Sequence, residues 1–287
     1  MKFHFMHAHR DEFRIATLCR VLGVSRSGYY AWRSRPVPRR QERNLALLAH
    51  IRDVHEASMR NYGSPRVHHA LLKRGVACGR HRVARLMRYE GIVSRTQKHF
   101  RWTSTKRSEL PAAPDRLQRS FRAAEPNRVW VSDITYLRTG QGWLFLAIVL
   151  DLYSRRVVGW AMHPKLGKEL VLEALRMAVA ERKPAAGLIF HTDRGGEYLS
   201  ADVQVYLDRH GILSSMSRPG ECLDNAVAES FFHTLKTELY YHHHFKTREH
   251  ASATVFHYIA AFYNRARLHS TLGFRSPLEY ETVHSAA

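Results

Sequence analysis

The sequence predicts an α/β core, a mixed five-stranded sheet with flanking helices, preceded by an all-α region with helix-turn-helix outlines. Three observations predict it. Runs rich in β-branched and aromatic residues occur only after Asn127, helical periodicities interrupted by single glycines fill the first hundred residues, and a long amphipathic helix separates the third strand-like run from the fourth. At 287 residues the chain is long enough for about two domains, each with its own core.

From Asp11 the spacing of Phe13, Ala16, Leu18, Val21 and Leu22 predicts a helix that Gly23 breaks, and Arg26 to Arg33 predicts a second short one. Helix, glycine turn and helix over residues 1–40 form a helix-turn-helix outline. Residues 41–95 predict another. Leu45, Leu48, Ile51 and Val54 lie on one helical face, Ser64 suits an N-cap with Pro65 behind it, and Val83, Leu86 and Met87 mark a third helix whose polar side carries Arg80, Arg82, Arg85 and Arg88. Residues 96–124 lack periodicity, contain Pro111 and Pro114, and predict a basic linker. The core domain is expected over 125–287.

Within it, Val129 to Leu137, Trp143 to Leu150 and Val157 to Trp160 predict three consecutive strands. Lys168 to Arg182 predicts a crossover helix, Gly187 to His191 a fourth strand, Asp202 to His210 a helix, Ile212 to Met216 a fifth strand and Asn225 to Tyr241 a long helix.

Charge separates the two regions. The chain carries a net charge of +20, and residues 1–120 hold 26 basic and 8 acidic side chains, leaving 19 and 17 for the rest. Of the 26 cations, 22 are arginine, whose planar fork matches phosphates and guanine edges. Such a polarised excess predicts a polyanionic partner, double-stranded DNA, with Arg26, Arg80, Arg82 and Arg85 as candidate contacts. No apolar run exceeds the eight residues from Trp143 to Leu150, which argues against a membrane span, and Met1 to Arg14 has no signal-peptide core, so the expected address is cytoplasmic. Cys19, Cys78 and Cys222 are too scattered for a disulfide framework or a thiolate zinc site.

Chemistry concentrates on three carboxylates. Asp133 lies within the first strand, Asp193 at the end of the fourth, and a crossover strand running beside the first would bring them together. Glu229 sits in the first turns of the long helix, with His233 four and Lys236 seven residues later on the same face. Three converging carboxylates repel unless cations lie between them, and hard oxygen donors without thiolates favour Mg²⁺ or Mn²⁺.

The blocks Trp-Val-Ser-Asp-Ile-Thr-Tyr-Leu around Asp133, His-Thr-Asp-Arg-Gly around Asp193 and Asp-Asn-Ala-Val-Ala-Glu-Ser-Phe-Phe around Glu229 resemble the insertion-sequence transposases of the IS-three type. These are second-frame proteins with a retroviral-integrase-like core. The 35 residues between Asp193 and Glu229, the basic Lys236, the tail from Tyr263 to Gly273 and the segment Tyr62 to Val67 extend the resemblance over nearly the whole chain. It implies a ribonuclease-H-like fold and a polynucleotidyl transferase that cleaves and joins strands at insertion-sequence ends. Asp133 would bridge two Mg²⁺ ions, with Asp193 and Glu229 each completing one shell, while Lys236, His233 and Arg194 would contact DNA. It also implies a homo-oligomer on DNA and a partner in the upstream-frame product, which in this family carries a leucine zipper; no heptad zipper occurs in this chain. Two alternatives remain at this stage, a DNA-binding regulator and a structure-selective nuclease of the same fold.

Overall fold

The computed structural model describes residues 1–36, 38–95, 113–117, 123–217 and 225–285. They fall into two units, Met1–Arg52 and Asp53–Ala287. In the first, α1 (Lys2–Ala8), α2 (Ile15–Leu22) and α3 (Arg26–Ser34) bury Met6, Leu18, Cys19 and Tyr29 together. Gly23 ends α2 at φ 61°, a conformation that costs a side-chain-bearing residue energy, and the Ser25 hydroxyl caps α3 by accepting from the Gly28 N–H at 3.0 Å. Two details depart from the sequence reading. α1 has no counterpart there, because its His-rich surface hides the single buried Met6. The second helix starts at Ile15 rather than Asp11, because Arg14 is extended (ψ 132°), leaving Phe13 exposed ahead of it.

α4 (Arg39–Ala57) contributes residues to both units. Its buried positions are Leu47, Leu48, Ile51, Val54 and His55; Leu45, expected on that face, is exposed. α5 (Ser64–Lys73) and α6 (Arg80–Tyr89) follow. Gly63, not Ser64, is the α5 cap, so this helix begins without a side-chain cap. The Tyr62 hydroxyl stitches the entry to α5 onto the C-terminal tail, donating to the Ala266 carbonyl at 3.0 Å and accepting from the Leu268 N–H at 2.8 Å.

The five predicted strands form one sheet in the order β3-β2-β1-β4-β5: β1 (Val129–Thr139), β2 (Gly142–Asp151), β3 (Val157–His163), β4 (Ile189–Thr192) and β5 (Leu213–Met216). β1, β2 and β3 pair antiparallel, whereas β4 lies parallel to β1 and β5 parallel to β4. The crossover helix α7 (Lys168–Arg182) packs on β2 and β3 over a core of Trp130, Val149, Val158, Leu170, Ala174 and Leu175. It approaches so closely that a Cβ on Gly159 would fall 2.2 Å from the Ala174 carbonyl oxygen. α8 (Ala201–Arg209) connects β4 to β5, and α9 (Ala226–Glu238), α10 (Arg248–His257) and α11 (Pro277–Ser285) complete the unit.

α9 stops short of the expected Tyr241. Tyr240 turns back to β1, where its hydroxyl accepts from the Arg138 N–H at 2.8 Å, and that bond replaces helical continuation. His242, His243 and His244 are exposed, with His243 stacked on Phe245. Most of the expected linker, and Cys222, lie outside the described residues; of its described parts, 113–117 and 123–124, the first runs beside β5, with the Arg116 N–H donating to Ser215 Oγ at 2.9 Å. Among the described residues no helix is long and apolar enough to cross a membrane.

Candidate active site

Strand pairing assembles the first two carboxylates. β1 and β4 advance in parallel from Val129 opposite Ile189 to Val131 opposite His191, so two residues further on Asp133 comes abreast of Asp193. The neighbouring positions point into the protein and fix the backbone on which the acids stand. Ser132 Oγ meets the buried Tyr198 hydroxyl at 2.9 Å, and His191 Nδ1 meets Ser215 Oγ at 2.9 Å. Each acid also has a local anchor: Asp133 Oδ1 accepts from the Ile134 N–H at 2.8 Å, and Asp193 Oδ1 from the Gly195 N–H at 3.0 Å.

Glu229 arrives on α9. The start of that helix is tied to β1 by Asn225, whose Nδ2 donates to the Ser132 carbonyl at 3.0 Å, one residue before Asp133. The acids feel one another. Burial, then Asp193 and Glu229, push the Asp133 carboxyl well above its usual range, against the pull of the Ile134 N–H and of Lys236. Burial, then Asp193, raise Glu229. Burial raises Asp193 and the nearby Glu197 adds to it, while the Gly195 N–H opposes them. Glu197 is a fourth carboxylate that the sequence reading did not single out; a Cβ on Gly195 would stand 3.0 Å from Asp193 Oδ1 and 3.2 Å from Glu197 Oε2, so both acids crowd one glycine.

The donor chemistry fits hard divalent cations, because a concentration of carboxylates that raise each other's proton affinity is relieved by cations of higher charge. Among the described residues, however, no three His, Cys, Asp or Glu side chains close into a ready-made ligand shell. The acids are neighbours through their fields and not a preformed cage.

The expected polar stripe on α9 divides in two. The Lys236 ammonium lies 5.2 Å from the centroid of the Tyr136 ring and acts on Asp133, whereas His233 is exposed and lines a groove beside Arg66 and Arg267. Opposite them Phe231, Leu235 and Leu239 are buried as expected. Arg194 Nε donates to the Ser217 carbonyl at 2.8 Å, bracing the loop after Asp193 against the end of β5. Arg26, Arg80 and Arg85 are exposed and Arg82 is half-buried. Sequence reading missed Asn225, Tyr198 and Ser132, whose roles depend on contacts 66 to 93 residues apart.

The chain matches the integrase core domain over residues 123–222 and again over 229–284, and an HTH-like domain over 42–100. It is 43% identical over 293 aligned positions, covering 100% of both chains, to the transposase InsF for insertion sequence IS3A of Escherichia coli (strain K12). The chain belongs to the IS3-type insertion-sequence transposases. A second relative of this chain, the insertion element IS600 uncharacterized 31 kDa protein of Shigella sonnei, is 41% identical over 94% of this chain and 100% of its own. The HTLV-2 integrase catalytic core domain in complex with magnesium is similar over 56% of this chain and 99% of its own, at 15% identity and a TM-score of 0.42, too loose a likeness to add to the assignment. As a member of this transposase family the chain is a polynucleotidyl transferase of DNA transposition, acting by strand cleavage and strand transfer.

Proposed function

We propose that Asp133, Asp193 and Glu229 are the catalytic, metal-holding residues with which this transposase cleaves and joins DNA at insertion-sequence ends. The supporting observation is the parallel β1–β4 register that sets Asp133 beside Asp193, with Glu229 held close enough to raise the proton affinity of Asp133. Two Mg²⁺ or Mn²⁺ ions would supply charge neutralisation at the phosphodiester and acidify the attacking water or 3′-hydroxyl.

The chain's own groups prepare that site. Asn225 fixes the angle at which α9 presents Glu229, and the Ser132–Tyr198 bond stiffens the strand under Asp133. Lys236 places a positive charge beside Asp133, where a scissile phosphate's neighbour would lie, and the Tyr136 face limits its movement. Duplex DNA would contact the arginine-rich helices of each unit separately, Arg26 on α3 in one and Arg80, Arg82 and Arg85 on α6 in the other, and within the second unit His233 and Arg194 are further candidate contacts. Such phosphate contacts give affinity without base reading and weaken steeply with salt. Joining two DNA ends calls for at least two protomers, and the upstream-frame product of the same element is the candidate partner.

The test is a joining assay with labelled duplex carrying the element's end, with and without Mg²⁺. Metal-dependent joined product is expected from the unaltered chain, and loss of joining with retained DNA binding from Asp133→Asn, Asp193→Asn and Glu229→Gln. Normal joining by any of the three would overturn the assignment.

A further inference from the structure

Four residues beyond Glu229, roughly 6 Å along α9, the helix borders a groove of ≈480 Å³. Its other walls are the entry to α5 and the tail from Arg267 to Phe274. Two independent features mark it as built for a ligand. The first is charge. Glu238, buried, accepts three hydrogen bonds of 2.7–3.0 Å from Arg267 and lies 3.6 Å from the Arg66 guanidinium. One carboxylate thus faces two guanidinium groups, and the half-buried Arg95 on the groove wall adds a third cation. Buried charge of one sign calls for a counter-charge. The N-terminus of α5, with no side-chain cap and no acid in its first turn, opens beside Gly63 and Arg66; Pro65 has no N–H, so the backbone donors it can offer an anion are those of Ser64 and Arg66.

The second feature is a pair of orphaned polar side chains. Asn61, 3% exposed, has neither its amide nitrogen nor its amide oxygen hydrogen-bonded among the described residues, and the Thr237 hydroxyl, in a residue 8% exposed, is equally unmatched. Both line the groove. Unmet polar groups destabilise the fold, so their presence here calls for a partner that arrives from outside. A carboxamide offers one donor face and one acceptor side by side, the pattern that complements a nucleobase edge.

We propose that this groove holds one nucleotide of an unpaired DNA strand, its phosphate against the α5 N-terminus, Arg66 and Arg95 and its base edge against Asn61 and Thr237. The inference rests on the strand-transfer reading above. An unpaired nucleotide fits and a base pair does not: the volume suits a single nucleotide, and so deeply buried an amide meets a base only after that base has left its duplex. The position on α9 places this nucleotide close to the scissile phosphate held at Glu229.

The test compares binding of the full chain, by fluorescence anisotropy, to a blunt duplex and to the same duplex with a three-nucleotide single-stranded extension. The extended duplex is expected to bind about tenfold tighter. Thr237→Val and Asn61→Leu should reduce that preference below twofold, leave blunt-duplex binding unchanged and keep or raise the melting temperature, since each replaces an unmet polar group by an apolar one of similar shape. Equal binding of both duplexes by the unaltered chain overturns the proposal, as does retention of the preference by Thr237→Val. So does a fall in melting temperature with equal weakening on both duplexes, which marks a purely structural role. Glu229→Gln separates the two readings: it should lose Mg²⁺-dependent joining yet keep the preference for the extension. Normal joining by that variant defeats the catalytic assignment and not the groove.

Discussion

The Asn225 carboxamide donates to the main-chain carbonyl of Ser132 at 3.0 Å, and this bond joins the first turn of α9 to the strand that carries Asp133. Two of the three proposed catalytic acids are therefore held in register by a residue that bears no reactive group. Misplacement by about an ångström costs on the order of 10²-fold in rate. Asn225→Ala is expected to lower single-turnover joining by that order while DNA affinity stays within about twofold. Equal loss of binding and joining would show that Asn225 serves DNA contact instead.

Glu281 on α11 gathers hydrogen bonds from Ser154 Oγ at 2.7 Å, Arg156 Nη1 at 2.9 Å and both terminal nitrogens of Arg182 at 2.9 Å, clamping α11 to the β2–β3 turn and to α7. Burial alone would raise its carboxyl, but the hydrogen bonds from Arg182, Ser154 and Arg156 outweigh burial and hold it below its ordinary 4.5. A carboxyl depressed in the folded state adds stability that is complete above its unfolded value and disappears as pH falls through the folded one. Acid should therefore erode this clamp below about pH 4.5. Glu281→Gln is expected to cost about 2 kcal/mol near neutral pH, because it removes charge-assisted hydrogen bonds from two partly buried guanidinium groups, although Arg156 keeps Glu181 and Arg182 keeps Asp151 and Asn127. Thermal melts of both proteins between pH 7 and pH 3 check this: the gap between them should narrow with acid, and a pH-independent gap would contradict it.

The three carboxylates proposed as catalytic were legible in the sequence as a group and the groove was not, for physical reasons. Asp133 and Asp193 sit in short strand-like runs whose parallel pairing follows from one crossover helix, so local pattern and topology lead to the same place. Their supports, Asn225, Tyr198 and Ser132, are ordinary polar residues whose meaning arises only when distant segments meet. Asn61 and Thr237 lie 176 positions apart, and neither belongs to a periodic pattern. α1 escaped notice because Met6 is its single fully buried side chain, and the α5 cap moved by one residue because Gly63 and Ser64 are both acceptable caps.

Gly159 governs how α7 lies on the sheet. An added methyl group would collide with the Ala174 carbonyl oxygen at 2.2 Å and stand 2.8 Å from the Ala178 Cβ. Both obstacles belong to a packed helix that cannot yield locally. Gly159→Ala is expected to destabilise the second unit by about 3 kcal/mol, seen as a lower urea midpoint with little change in slope. An unchanged midpoint would mean that α7 is packed more loosely than the structure has it.

Asp133, Asp193 and Glu229 are proposed to be poised against one another for divalent cations, and the melting temperature with and without Mn²⁺ measures this most directly. In metal-free buffer Asp133→Asn should melt at or above the unaltered chain, because it removes a carboxylate that its neighbours repel. Saturating Mn²⁺ should then raise the unaltered chain by several degrees and leave Asp133→Asn unmoved. A variant that melts lower without metal, and rises with Mn²⁺ as much as the unaltered chain does, would show that Asp133 holds no cation.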